Sequence, residues 1–137
     1  MPARNVRQFN VPTLDRPGVL GSITDLLARS GINLLGITVE GGGGTAFIRL
    51  VAEQEGKVKS TLEKEGFSVF ETSAFVVDVA NRPGELARLA KALGEEGVNI
   101  QSIYGASEGQ SAAKLVFSVD NAEKARKVFD GALAKSN

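Results

Sequence analysis

Two hexapeptides hold the residue types with most chemistry to offer: Asp15-Arg16-Pro17-Gly18-Val19-Leu20 and, 66 positions further on, Asn81-Arg82-Pro83-Gly84-Glu85-Leu86. Each reads as a turn into a helix, because proline suits a first helical turn, where its missing N–H costs nothing. The amides at Gly18, Val19 and Leu20, and at Gly84, Glu85 and Leu86, are then orphan donors of a helix N-terminus. They form a seat for a carboxylate, assisted by the helix dipole. Glycine there lets a ligand approach the backbone closely. Turn chemistry alone accounts equally for Pro and Gly. Arg16 and Arg82 could clamp a carboxylate bidentately or point into solvent. Asp15 would repel a ligand carboxylate, but it could accept from an ammonium group or serve as a helix N-terminal charge. Glu85 suits the dipole without any ligand.

A second pair of polar residues, Asn33 and Asn99, stands just after helix-ending glycines Gly31 and Gly97, between apolar neighbours. An amide there both donates and accepts, as is needed to hold an amino acid's carboxylate and ammonium together. The competing use is a hydrogen bond to its own loop. Tyr104, the sole tyrosine, either walls a pocket or is a half-buried strand aromatic. The four glycines 41–44 do not make a phosphate loop, since a strand rather than a helix follows them. They read as a hairpin tip, and the Lys/Glu-rich stretch 53–65 as a solvated helix face.

Composition closes off other chemistries. The 137 residues include no His and no Cys, so a Cys nucleophile, a His base and a Cys/His metal site are all excluded. Sixteen basic residues balance 16 acidic ones, which gives no electrostatic grip on nucleic acid or anionic lipid. No cofactor and no metal are expected. The N-terminus has no apolar h-region, and the apolar run 74–77 is far short of a membrane span, so a soluble cytoplasmic protein is expected.

The elements that must position these residues come from a repeat. Between 15–40 and 81–106, eight of 26 positions are identical, among them Arg-Pro-Gly, the helix-ending glycine and the Asn after it. Each copy shows a β-rich segment (9–11; 75–79), the Arg-Pro-Gly turn, and a helix burying Leu20, Ile23 and Leu27 or Leu86, Leu89, Ala90 and Leu93. A strand (32–40; 98–105), a turn, and a strand with alternate residues inward follow: Ala46, Ile48, Leu50 and Ala52, or Ala113, Leu115, Phe117 and Val119. The second turn, at 107–110, is one residue longer than the first. A second helix closes each copy (55–65; 122–130), and 68–72 makes a final strand in the first alone. The order is β-α-β-β-α-β, the split ferredoxin-like unit. The fold class is therefore α+β, two such units in tandem, with boundaries at 6–72 and 73–135. The second lacks a last strand of its own, because 131–137 is a poor strand. Either residues 4–8 or a partner subunit is expected to border that edge.

An (Asn/Asp)-Arg-Pro-Gly-x-Leu turn paired with a Gly-(Ile/Val)-Asn-(Leu/Ile) strand start resembles the ACT domain family, twice over and from about Val6 to Leu133. The resemblance implies a regulatory module, not an enzyme. Such a module binds an amino acid or similar carboxylate at an interface between ACT units, most often as a homodimer, and signals to a fused or partner metabolic enzyme. Asn81 is the family-typical residue of a ligand-binding loop, so the second copy, with Asn81 and Asn99, is expected to be the better seat. Some members place a His two residues before that Asn; this chain has Thr13 and Val79 there. The rival expectation is an interaction subunit that docks on a biosynthetic enzyme and binds little by itself.

Overall fold

The computed structural model describes residues 3–106 and 112–134. The longer turn expected at 107–110 and residues 135–137 lie outside the described residues. Ten elements follow one another: β1 (Ala3–Leu14), α1 (Val19–Arg29), β2 (Leu34–Gly42), β3 (Thr45–Ala52), α2 (Glu55–Glu63), β4 (Phe70–Ala80), α3 (Glu85–Glu95), β5 (Ile100–Ala106), β6 (Ala112–Val119) and α4 (Ala122–Ala134). The chain divides into two units, Arg7–Thr72 and Met1–Val6 with Ser73–Asn137.

In the first unit the strand order is β2-β3-β1-β4. β3 pairs antiparallel with β1, Phe9 facing Leu50 and Leu14 facing Thr45, and with β2, Leu34 facing Ala52 and Gly42 facing Thr45. The alternate residues Ala46, Ile48, Leu50 and Ala52 are buried as the period-2 pattern requires, and Ile23, Leu27, Val58 and Leu62 meet them from α1 and α2. The hairpin between β2 and β3 turns on Gly43 (φ 63°) and Gly44 (φ 88°), two positive values of the kind that two-residue hairpin loops demand.

The second unit repeats this design with order β1-β4-β6-β5. β6 pairs antiparallel with β4, Phe75 facing Phe117, and with β5, Ile103 facing Phe117. Phe75, Phe117, Leu89, Leu93, Ala125 and Phe129 form its core, and Ala3, only 3% exposed, belongs to the same cluster. β1 thus gives residues 3–6 to this unit and 7–14 to the other, as β4 gives 70–72 to the first and 73–80 to the second. A side-chain bond from Ser73 Oγ to Asn5 Oδ1 (2.9 Å) lies within the second unit, and one from Asn10 Nδ2 to Phe70 O (3.0 Å) within the first. Residues 131–134, which the sequence marks as a poor strand, continue helix α4. Among the described residues it is therefore the N-terminal segment, and not a seventh strand, that borders the edge in question.

Both first helices end alike. Gly31 (φ 72°) and Gly97 (φ 76°) adopt left-handed backbone, while Ile32 N–H donates to Leu27 O (3.0 Å) and Val98 N–H to Leu93 O (2.9 Å). This is the Schellman arrangement, with the apolar residue after the glycine folded back onto the helix. It places β2 and β5 two residues later than the sequence pattern suggests, because Ile32 and Val98 belong to the cap.

The inward face of each first helix also differs from expectation. Leu20 is 39% exposed and Leu86 46%, while Val19 and Glu85 turn inward at 4% and 7%. Left-handed Gly18 and Gly84 serve as N-caps, so the helices begin at Val19 and Glu85 and their buried stripe runs i, i+4, i+8. The next residue stands about 100° further round the helix and faces out.

Candidate functional site

Each Arg-Pro-Gly turn is a type II turn with proline in its second place and glycine in its third. Gly18 has φ 90° and ψ −8°, Gly84 φ 92° and ψ −14°. Positive φ with ψ near zero is the geometry that calls for glycine. The turn is closed by Val19 N–H donating to Arg16 O (3.3 Å) and Glu85 N–H donating to Arg82 O (3.4 Å). One of the three donors expected at each seat is therefore spent locally, and neither helix N-terminus has a side-chain cap. Pro17, Gly18, Pro83 and Gly84 are exposed.

The asparagines that open the second strands are held by their backbones. Asn33 N–H donates to Gln54 Oε1 (2.7 Å), and its carbonyl accepts from Glu53 N–H (2.9 Å). In the second copy Asn99 N–H donates to Asp120 Oδ1 (2.9 Å), and Asn99 O accepts from Asp120 N–H (3.2 Å). Both side chains are exposed, and among the described residues neither side-chain amide has a hydrogen-bond partner. The loop hydrogen bonds that could have occupied these amides are made by the main chain instead. No hydrogen bond among the described residues joins Asn99 to the turn at 82–84.

The residues before the arginines differ between copies. Asp15 N–H donates to Gly44 O (3.0 Å), and its carboxylate lies against Gly41, where a Cβ would come within 2.6 Å of Oδ2. Asp15 is thus packed on the β2–β3 hairpin. Asn81 is exposed and makes a contact of its own. Tyr104 is half-buried in β5 opposite Val116, as a strand aromatic would be.

The second copy's turn holds an ion cluster. Glu85, its side chain 9% exposed, accepts from Arg82 Nε (3.0 Å) through Oε1 and from Arg88 Nη2 (2.8 Å) through Oε2. Arg88 Nη1 also donates to Ala132 O (2.6 Å) near the end of α4. Arg82 thus meets a carboxylate of its own chain, Nε and Nη2 both reaching Oε1, while its side chain stays 59% exposed. The hydrogen bond from Arg88, then that from Arg82, holds the Glu85 carboxyl below its ordinary range. A carboxylate whose pKa is lowered by folding adds stability above its unfolded value, which is lost as pH falls through the lowered value. Glu85→Gln should accordingly lose less stability than wild type across that acidic window, read as urea midpoint against pH. Parallel curves would contradict it. Arg88 was not a candidate from sequence, yet Arg82-x-x-Glu85-x-x-Arg88 is i, i+3 spacing on both sides of one acid, and that was the available signal.

Among the described residues no three or more His, Cys, Asp or Glu gather as for a metal ion, and no helix is long and apolar enough to cross a membrane. Two β-α-β-β-α units, each entering its first helix through an Arg-Pro-Gly turn and leaving it through a glycine cap followed by an Asn before the next strand, define the tandem ferredoxin-like class of ACT type. The chain belongs to the ACT domain pair family, whose model matches residues 4–133. An ACT domain pair is a non-catalytic regulatory module. The fold is similar to that of protein BT0572 from Bacteroides thetaiotaomicron, with a TM-score of 0.84 and 25% identity over 94% of this chain and 89% of that one. It is also similar to the regulatory subunit of aspartate kinase from Thermus thermophilus in its ligand-free form (TM-score 0.72, 16% identity, 96% and 97% of the two chains). A structure of aspartokinase alpha and beta subunits gives a TM-score of 0.70 at 24% identity over 98% of each chain. At such identities these last two speak for the fold alone. No match was found among curated proteins.

Proposed function

We propose that this chain is a cytoplasmic regulatory protein that binds a small amino acid, or a similar carboxylate, at an interface between ACT units of a homodimer, and that it acts on a partner metabolic enzyme. The observation that carries this reading is the repeated pairing of an uncapped, glycine-led helix N-terminus with an exposed asparagine whose amide has no partner among the described residues. The helix start favours the ligand's carboxylate, and the amide can take both its charged groups. The seat residues are read as Asp15, Gly18, Val19, Leu20 and Asn33 in one domain (6–72) and residues 81–86 with Asn99 in the other (73–135). A helix of 11 residues, about 16 Å long, separates each turn from its own asparagine, so a ligand would meet a turn and an asparagine of different ACT units. Binding would act by favouring one arrangement of domains over another. That chains of full matching length include a regulatory subunit of aspartate kinase favours a partner enzyme. An amino-acid kinase is one enzyme class to try.

Calorimetry with the common amino acids, on wild type and on Asn33→Ala, Asn81→Ala and Asn99→Ala, tests this. A ligand binding wild type should lose about tenfold or more in affinity in at least one variant, a change of about 1.4 kcal/mol. Equal affinity in all four proteins removes the asparagines from the site. No binding at all, with co-purification of a larger enzyme, favours the docking subunit that binds little by itself.

A further inference from the structure

The two copies differ at one point that matters for any anion. Where the first has Val19, buried and apolar, the second has Glu85, buried and charged. Where the first has Ser22, whose Oγ donates to Gly18 O (3.1 Å), the second has Arg88. The type II turn, the left-handed glycine and the turn arginine are common to both. In the second copy alone, therefore, two guanidinium groups converge beside the helix start, and a carboxylate already lies between them.

We propose that Glu85 is a built-in occupant of the second copy's anion seat: from within the first turn of α3 it takes the position between Arg82 and Arg88 that a free carboxylate would otherwise fill. Three features of the geometry support this. The Glu85 side chain is 9% exposed, so it is a committed partner and not a surface charge that happens to lie near an arginine. Each of its two oxygens takes a different arginine, at 3.0 Å and 2.8 Å, which leaves neither guanidinium with its full set of donors for a ligand. The held arginine then does a second job, since Arg88 reaches the Ala132 carbonyl at 2.6 Å. α4 runs 13 residues where its counterpart α2 runs nine, and Ala132 lies in the added turn. Glu85 therefore orients the residue that ties the start of α3 to the end of α4. The arginine remains within reach of solvent, for Arg88 lines an open groove between α3 and α4 in which Lys127 adds a second cation and Glu95 and Glu96 two anions.

The inference rests on the carboxylate-binding reading and leaves the turn at 16–20, which has Val19 in place of Glu85, as the open helix start of the wild-type chain; its test does not use an amino acid. Acetate is titrated into wild type, Glu85→Val (the residue of the first copy) and Glu85→Gln, and the Nε–H signals of Arg82 and Arg88 are followed by NMR. Acetate should bind both variants saturably, at least about tenfold more tightly than wild type. In the same variants, amide exchange in the last described turn of α4 should rise, as it should in Arg88→Ala. Equal acetate binding in wild type and variants, or no saturable shift in either variant, overturns the proposal. Glu85→Gln keeps an acceptor for the arginines and carries the comparison should Glu85→Val not fold. Failure of amino acids to bind wild type would count against the proposed function and leave this result standing.

Discussion

A chain lacking residues 1–6 is expected to lose the fold of its second unit while the first persists. Residues 3–6 are the only part of that unit's edge not drawn from 73 onward, and they bring Ala3 and Val6, 3% and 7% exposed, into it. Burying a Val side chain stabilises by about 1.5–3 kcal/mol, and each lost strand hydrogen bond counts for about 1. The sum, on the order of 5 kcal/mol, approaches the whole stability of a unit of about 70 residues, roughly 4–10 kcal/mol. The deletion also bares the β4 edge from Ser73, which Asn5 contacts, into the apolar run Ala74-Phe75-Val76, a β-rich edge prone to pair with other chains. In ¹H–¹⁵N spectra the signals of 73–134 should collapse toward random-coil positions or broaden through association, while those of 7–72 stay dispersed. A full, dispersed spectrum from a monomeric truncation would show that the second unit closes its sheet without the N-terminal segment.

Which features of this fold could be read from the sequence follows from how local their causes are. The Arg-Pro-Gly turns and the Gly31 and Gly97 caps are each set by one residue's backbone freedom, and they stand where the glycines put them. The inward alternation of β3 is equally local, a period of two. The helix face was harder. Both 19/23/27 and 20/23/27 are acceptable helical stripes, and only the left-handed cap, by fixing where the helix begins, decides between them. The β1 and β4 strands were legible as segments but not as continuous elements: 68–72 and 75–79 look like two strands, and in the fold Phe70–Ala80 is one. The continuity comes from pairing with a strand more than 60 residues away, which no local pattern encodes. The family itself was legible because its two signatures are turn and cap positions repeated in register.

The seat was legible as residue types and not as relations. Val19 and Glu85 align, and a valine facing the core predicts nothing about a glutamate in its place. Glu85 can turn inward only because Arg82 and Arg88 neutralise it, since a lone buried carboxylate would be costly. The exposed amides of Asn33 and Asn99 were likewise undetermined from sequence, because the Gln54 and Asp120 side chains that take their backbone N–H groups arrive from another loop.

Phe129→Ala should cost the second unit about 3–5 kcal/mol, the range for deleting a buried aromatic. Its ring is fully buried, 5.2 Å from that of Phe75 and 5.3 Å from that of Phe117 between centroids, so the truncation ends two ring contacts at once. Aromatic pairs add about 0.5–1.5 kcal/mol beyond their area, which places the expected loss toward the top of the range. The first unit supplies the comparison. Its matching core residues are Phe9, Leu50 and Leu62, also buried, with one ring instead of three. Leu62→Ala should therefore cost about 2–5 kcal/mol in that unit without an aromatic increment. Phe129→Leu, which gives the second unit the first unit's residue, keeps most of the volume and should cost about 1–2 kcal/mol. Urea titrations read at unit-specific amide signals separate the two transitions. A Phe129→Ala loss below that of Phe129→Leu would mean that α4 repacks to fill the hole, and that the three rings do not set the stability of this small core.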